Sequence, residues 1–281
     1  MLKNKPGFLR IFSRHPSHSS IRNLIKVDKP IGLRLGSNTP CEHDCLNSVE
    51  GVENSSNKLL MKDLFLKAGI SSPSFFKLSL TNALLEGNVV TFEELGKQLR
   101  YPVLAKRTFR SKGIGMLKIN NYEEYLTFIE DKVKNKKIQD RNPYYLETFH
   151  NYSREYRLHI SENGCFYSCR KMLKEGGEKR WMRNDSNSIW ITEKVITRNN
   201  EGQLINYEGE NELFNKPDTW DNIVTDCNNA RIAVGLNICC FDVKVNRKGD
   251  WIILESNSAP SFGEITKIMY GNELIKLINN V

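Results

Sequence analysis

The sequence predicts an α/β protein built of α+β subdomains, and three observations predict it. Blocks of period-two alternation recur at hairpin length. Amphipathic stretches with helical spacing separate them, and the N-terminal stretch reads strand, helix, strand. With 281 residues, 39% hydrophobic and 26% charged, the chain has globular composition and length for a full core and roughly two or three subdomains. No apolar run approaches the roughly 20 residues that a membrane span needs.

In residues 1–46, "FLRIFSR" reads as a strand, "SSIRNLI" as a short helix opened by a Ser cap, and "PIGLRLGS" as a second strand. The first 36 residues hold eight Lys/Arg against one Asp, so nearly all of the formal net charge of +8 sits there. A uniform nucleic-acid-binding surface is not indicated, although the local excess suits a phosphate-bearing partner. The same basic, Ser-containing composition suits a transit peptide. The short turns between segments favour a folded βαβ unit instead. Seven Cys, an odd number, show no disulfide spacing, which points to a reducing cytoplasm. "CEHDC" (Cys41, His43, Cys45) has the look of a zinc half-site but lacks a second pair.

"NKLLMKDLFLKAGISSPSFF" carries Leu59, Leu60, Leu64 and Phe65 at helical spacing, ends at Gly69 and turns at Pro73; "TFEELGKQLR" is a second short helix. "YPVLAKRTFRSKGIGMLKI" is strand, loop, strand. Lys106 closes the first strand, and the loop bears Ser111, Lys112, Gly113 and Gly115. The GxxxxGK(S/T) of a P-loop is absent. Backbone N–H groups of such a loop close over phosphates in some proteins; an ordinary surface hairpin has the same composition. "NYEEYLTFIEDKVKNKK" is an amphipathic helix with a basic tail. "YYLETFHNYSREYRLHI" is strand, loop, strand with Glu147, Glu155 and Arg157, and "GCFYSCRKMLKE" continues the sheet. The polar, Trp-bearing "GGEKRWMRNDSNSIWITEKV" reads as a substrate loop in which Arg180, Arg183 and Asn184 hold an anionic group, or else as a solvated basic loop. "TWDNIVTDCNNARIAVGLN" is a long helix closed by Gly235.

The last block, "FDVKVNRKGDWIILESNSAP", is a hairpin with an acid inside each apolar strand. With Lys248-Gly249 as the tip, Asp242 and Glu255 stand directly opposite, their Cβ atoms about 5 Å apart. Asn257 shares a face with Glu255. Facing carboxylates repel, and a divalent cation between them reverses that sign. Two carboxylates and an amide oxygen are hard ligands suited to Mg²⁺ or Mn²⁺. The alternative is two acids facing solvent on an exposed hairpin.

The order of these features is a helix with Asn-Lys, a strand Lys with a glycine-loop hairpin, Glu-x7-Glu-x-Arg, a helix ending in Gly-Leu-Asn, and then Asp followed by Glu-x-Asn. In that order the chain resembles the ATP-grasp superfamily, in particular its phage-encoded and ribosomal-modification-type ligases. The resemblance covers about residues 47–270. The N-terminus (1–46) resembles the small Rossmann-like segment that precedes the ATP-grasp domain (47–281), whose lid subdomain would span about 100–150 and whose metal-binding subdomain about 151–281. The resemblance implies ATP held between two α+β subdomains. Lys58 and Lys106 would contact its phosphates, Ser111 to Gly115 (with Gly113) would form a lid, Glu147 would sit at the adenine hinge and Glu155 at the ribose hydroxyls. Lys171, a looser match, would approach the phosphates, and Asp242, Glu255 and Asn257 would bind Mg²⁺. It also implies a carboxylate–amine ligase that works through an acyl phosphate and releases ADP. A small-molecule kinase and a nucleotide-binding module without turnover are the alternatives. The chain departs from the dipeptide ligases at Cys240, where many carry an Arg two residues before the metal Asp; Arg157 is the candidate replacement cation. The identity of the carboxylate and amine and the oligomeric state are not legible in the sequence.

Overall fold

A computed structural model describes residues 7–279 apart from 14, 79–94, 98, 110–112, 135–142 and 176–187. At the N-terminus, β1 (Leu9–Phe12), β2 (Ile31–Arg34) and β3 (Cys45–Leu46) pair in parallel. The connection between β1 and β2 is a 3-10 helix, Pro16–Leu24. Its cap is His15, whose ring accepts from the Ser17 amide at 3.3 Å, and not the serine that the sequence suggested. Pro16 supplies the pre-set φ at the first helical position, so the helix starts earlier than the apolar pattern does.

Two helices follow, α1 (Val49–Ser56) and α2 (Lys58–Lys67), with Asn57 between them capping α2 through Leu59 and Leu60 N–H. A second sheet has the order β4 (Phe75–Lys77), β7 (Tyr144–Thr148), β5 (Val103–Arg107), β6 (Leu117–Ile119). Helix α3 (Tyr122–Lys134) lies in sequence between β6 and β7, and its Tyr125, Phe128 and Ile129 share a core with Val103, Ala105 and Leu146 of that sheet.

The largest sheet is antiparallel, in the order β10 (Ser188–Thr192), β9 (Gly164–Leu173), β8 (Arg154–Ser161), β13 (Ile238–Val245), β14 (Trp251–Asn257). The ribbon β11 (Lys194–Arg198) and β12 (Leu204–Glu210) stands beside it. Helix α4 (Trp220–Val234) carries Trp220, Ile223, Cys227, Ala230 and Val234 on one stripe and buries them against Tyr156, Leu158 and Ile160 of β8 and Phe241, Val243 and Val245 of β13. Strand alternation then turns Arg157, His159 and Asp242 to the opposite face, which is where the polar residues collect. Gly235 ends α4 at φ 77, and its carbonyl lies against Gly51 of α1 so closely that a Cβ there would sit 2.2 Å from the oxygen. Helix α5 (Glu264–Asn279) closes the chain and packs with the N-terminal 3-10 helix. No helix among the described residues is long and apolar enough to cross a membrane.

Candidate functional site

The hairpin that carries the two acids places Asp242 directly opposite Glu255 and Cys240 opposite Asn257. The route differs from the simple one. The turn is Asn246–Asp250, closed by Asn246 N–H to the Asp250 carbonyl at 2.9 Å, with the Asn246 side chain accepting from Lys248 and Asp250 N–H at 2.8 and 3.0 Å. Gly249 takes φ 92. That turn is centred on Lys248, so Val243 faces Ile253. A bulge at Leu254 then shifts the register by one and brings the acids opposite each other.

Across the sheet the row continues from Glu255 and Asp242 to Arg157 and Cys169. Arg157 binds Asp242 with both arms, Nε to Oδ1 at 2.7 Å and Nη2 to Oδ2 at 2.9 Å. The Lys58 ammonium, at the first turn of α2, binds Glu255 Oε2. Burial opposes the charge on Lys58, Arg157 and Glu255, and the partners outweigh it: Lys58 and Arg157 are held above their ordinary values, and Lys58 draws Glu255 down to about 2. Lys106 and Arg157 add to the field on Glu255.

A second cluster adjoins the first. Glu147, 0% exposed near the end of β7, takes Lys106 on one oxygen and Lys62 on the other at 3.3 Å. Lys62, one helical turn after Lys58, is 1% exposed and also donates to Ser72 Oγ at 3.0 Å. Burial pulls the Lys62 pKa down to about 8 despite the carboxylate beside it. The third pair is looser: Lys171 lies 4.0 Å from Glu155. Lys171 and Arg157 both lie over the Trp190 ring, at 5.1 and 4.9 Å from its centroid.

Lys58, Lys106, Glu147, Arg157, Asp242 and Glu255 are thus one electrostatic unit, with Glu155 and Lys171 on its margin. Gly113 and Gly115 hold positive φ (70 and 75) in the turn before β6. Ser111, Arg180, Arg183 and Asn184 lie outside the described residues. Beside the unit is a cavity of ≈ 570 Å³ whose walls include Arg157, Lys171, Trp190, Glu255, Asn257 and Glu264. The N-terminal segment contributes His15 to its lining, and His18 Nε2 pairs with the carbonyl of the lining residue Pro260 at 2.8 Å.

No protein-family model matches the sequence, and no curated protein matches it. Solved structures do match. D-alanine–D-alanine ligase from Bacillus anthracis complexed with ATP aligns with a TM-score of 0.59 at 11% identity, over 98% of this chain and 97% of the ligase. Carboxyaminoimidazole ribonucleotide synthase from Aspergillus clavatus complexed with ATP aligns at 0.52 and 13% identity, over 83% of this chain and 54% of the synthase. The ATP-grasp ligase PsnB complexed with a minimal precursor aligns at 0.53 and 13% identity, over 85% and 64%. The chain has the ATP-grasp fold. It spans about half the length of the synthase and nearly all of the D-alanine–D-alanine ligase.

The opposed acids are hard oxygen donors of the kind that could hold Mg²⁺. Mg²⁺ keeps several waters, takes phosphate oxygens and needs only one or two protein carboxylates. Asp242 and Glu255 supply two, and the Asn257 amide lies two residues beyond Glu255 on the same strand face. Among the described residues no group of three or more His, Cys, Asp or Glu is placed to hold a metal ion, so a metal here would rest on two carboxylates and an amide. Cys240 is 0% exposed, and burial pushes its thiol well up, so this position is neutral. Sequence reasoning missed Lys62, His159 and Arg198, and it took in Trp190 only as part of a substrate loop, where the structure has strand β10. Lys62 had a signal, because it follows Lys58 at the i+4 spacing that shares a helix face. His159 had one too, at period two from Arg157. Trp190 and Arg198 enter the site only through the tertiary arrangement of β10 and β11.

Proposed function

We propose that the chain is an ATP- and Mg-dependent ligase that joins a carboxylate to an amine through an acyl phosphate and releases ADP and phosphate. One observation carries the reading: Asp242 stands opposite Glu255, Arg157 holds the first acid and Lys58 the second, and Glu255 and Arg157 line the adjoining cavity. The lysines suit the phosphates of ATP, and the ≈ 570 Å³ cavity suits a second, non-nucleotide substrate.

In this reading Lys58 and Lys106 bind the phosphates, the turn bearing Gly113 and Gly115 lies over them, and Glu155 meets the ribose. The side chain of Glu147 is occupied by two lysines, so its part in the adenine hinge is to hold Lys106 in place while the backbone around it meets the base. When bound, Mg²⁺ neutralises charge on the phosphate oxygens and orients the terminal phosphoryl group. Trp190, Lys171 and Arg157 wall the cavity so that the substrate carboxylate lies beside the acids. An oxygen of that carboxylate attacks the terminal phosphorus, the bond to ADP breaks, and an acyl phosphate forms. The amine then attacks the acyl carbon, phosphate leaves with the amine proton, and an amide remains. Arg157 supplies positive charge where negative charge develops on oxygen at the attacked centre, the part that Cys240 cannot take. The seven free cysteines suit a reducing compartment such as the cytoplasm.

The test is ATP-dependent ADP release against pooled carboxylates, amino acids and amines, with hydroxylamine as the trapping nucleophile. A hydroxamate that requires the carboxylate supports the reading. AMP as product rules out terminal phosphoryl transfer. ADP with a stable phosphorylated product and no need for an amine assigns the chain to kinases, and nucleotide binding without any turnover assigns it to binding modules.

A further inference from the structure

Two carboxylates that face each other across neighbouring strands repel, yet each of these has a counter-ion supplied from a different element. The Lys58 ammonium of α2 sits on Glu255, and the Arg157 fork of β8 holds both oxygens of Asp242. Lys58 also links two elements of the site. Its backbone N–H donates to the Thr108 carbonyl at 3.2 Å, at the start of the loop that leads to Gly113 and Gly115, while its side chain reaches the metal strand. We propose that Lys58 and Arg157 stand in for the divalent cation in the nucleotide-free protein, and that nucleotide and metal enter by exchange of partners. Phosphate takes Lys58, and the carboxylate that Lys58 leaves takes the metal. The inference rests on the reading of this cluster as an ATP–Mg²⁺ site.

The exchange follows from the geometry. An ammonium in contact with Glu255 Oε2 occupies the lone pairs and the space that a cation would need at close oxygen distance. Metal alone must strip Lys58 from its acid and leave the ammonium without a partner in a site where its side chain is 15% exposed. Nucleotide alone must do the same and leave the carboxylate uncompensated. Together each removes the cost the other faces, so their binding is positively coupled, with equal coupling in both directions. Arg157 follows the same logic: a cation on Asp242 frees its guanidinium to turn toward the cavity and Trp190, over whose ring it already lies.

The coupling alone does not test this, because a metal that bridges phosphates produces some coupling in any protein. Removing the internal counter-ion does. Mn²⁺ binding is measured by electron paramagnetic resonance on the full chain without nucleotide, and ADP binding by calorimetry with EDTA present. Lys58→Met and Lys58→Gln should each bind Mn²⁺ alone about tenfold or more tighter than the wild type, and the gain should vanish when Glu255→Gln is added. Reciprocally, Glu255→Gln should bind metal-free ADP about tenfold tighter, because it releases Lys58. This second measurement stands even if the Lys58 variants fail to fold. Mn²⁺ affinity unchanged or lower in both Lys58 variants, or metal-free ADP affinity unchanged in Glu255→Gln, overturns the exchange while wild-type binding of Mn·ADP leaves the nucleotide-site reading intact. Failure of the folded wild type to take up Mn·ADP overturns both.

Discussion

Glu147→Gln isolates the buried Lys62–Glu147–Lys106 cluster, and its effect has a sign that depends on pH. In the wild type, burial lowers the Lys62 pKa from 10.5 to about 8. The folded state therefore binds fewer protons than the unfolded state between these values. Stability falls as pH drops toward 8 and levels off below it, where Lys62 is protonated in both states. The carboxylate of Glu147, at 3.3 Å, is what keeps the Lys62 pKa from falling further. Glutamine cannot do this. Lys62 has only the Ser72 hydroxyl left at 3.0 Å, so its folded-state pKa drops below 8 and the loss of stability continues into acid. Each pH unit below 8 should cost the variant about 1.4 kcal/mol relative to the wild type, until its own Lys62 pKa is reached. Glu147 itself is held below its usual value by the two lysines, so it does not titrate in this window. Urea unfolding at pH 6, 7, 8 and 9 reads the difference directly. The two stability curves should run parallel above pH 8 and part below it. Curves that stay parallel from pH 9 to pH 6 would refute the claim that Glu147 compensates a buried ammonium.

Other expectations concern separate parts of the molecule. Glu255→Gln should lower turnover by orders of magnitude once a substrate is found, since a catalytic metal supplies several kcal/mol; near-normal ADP release would remove Glu255 from the metal site. Gly235→Ala meets nothing nearer than 3.9 Å and should cost only its left-handed φ, about 1 kcal/mol, whereas Gly51→Ala drives a methyl to 2.2 Å from a backbone oxygen and should cost clearly more in the same melting experiment. Glu273, 2% exposed, accepts from Ser161 at 2.5 Å and Asn163 at 2.9 Å, which hold its carboxyl below the usual value. Its stabilising contribution is present above the ordinary carboxylate pKa and lost as pH falls through the lowered one. In Glu273→Gln the acid limb of a stability–pH profile should flatten, and an unchanged limb would count against that role.

The order of elements was legible because local pattern and final environment agree. Strand alternation in "FDVKV" and the apolar stripe of Trp220–Val234 each name a face, and those faces are buried against each other. Period two then fixes Arg157 and Asp242 on the far side of the same sheet. The opposition of Asp242 to Glu255 was legible only in outcome: the turn centre and the Leu254 bulge are two one-step offsets that cancel, and neither is written in the alternation. The cap of the first 3-10 helix was misread because serine is a common cap, while here Pro16 sets the start and the histidine before it supplies the acceptor.

By itself the sequence determined which side chains share a strand or helix face, because faces follow from backbone periods of 2.0 and 3.6 residues that no distant contact alters. It thereby named Asp242, Glu255 and Asn257, while Lys58 and the role of Arg157 came from the resemblance to ATP-grasp proteins. The tertiary structure alone decided their partners. Lys58 and Glu255 are 197 positions apart, and Arg157 and Asp242 are 85 apart. Which cation reaches which acid depends on how α2 and two sheets meet in space. The same meeting buries Lys62 beside Glu147 and opens a cavity between β10, the N-terminal segment and α5. Charge pairs act through distance and desolvation, and neither quantity is a function of position along the chain.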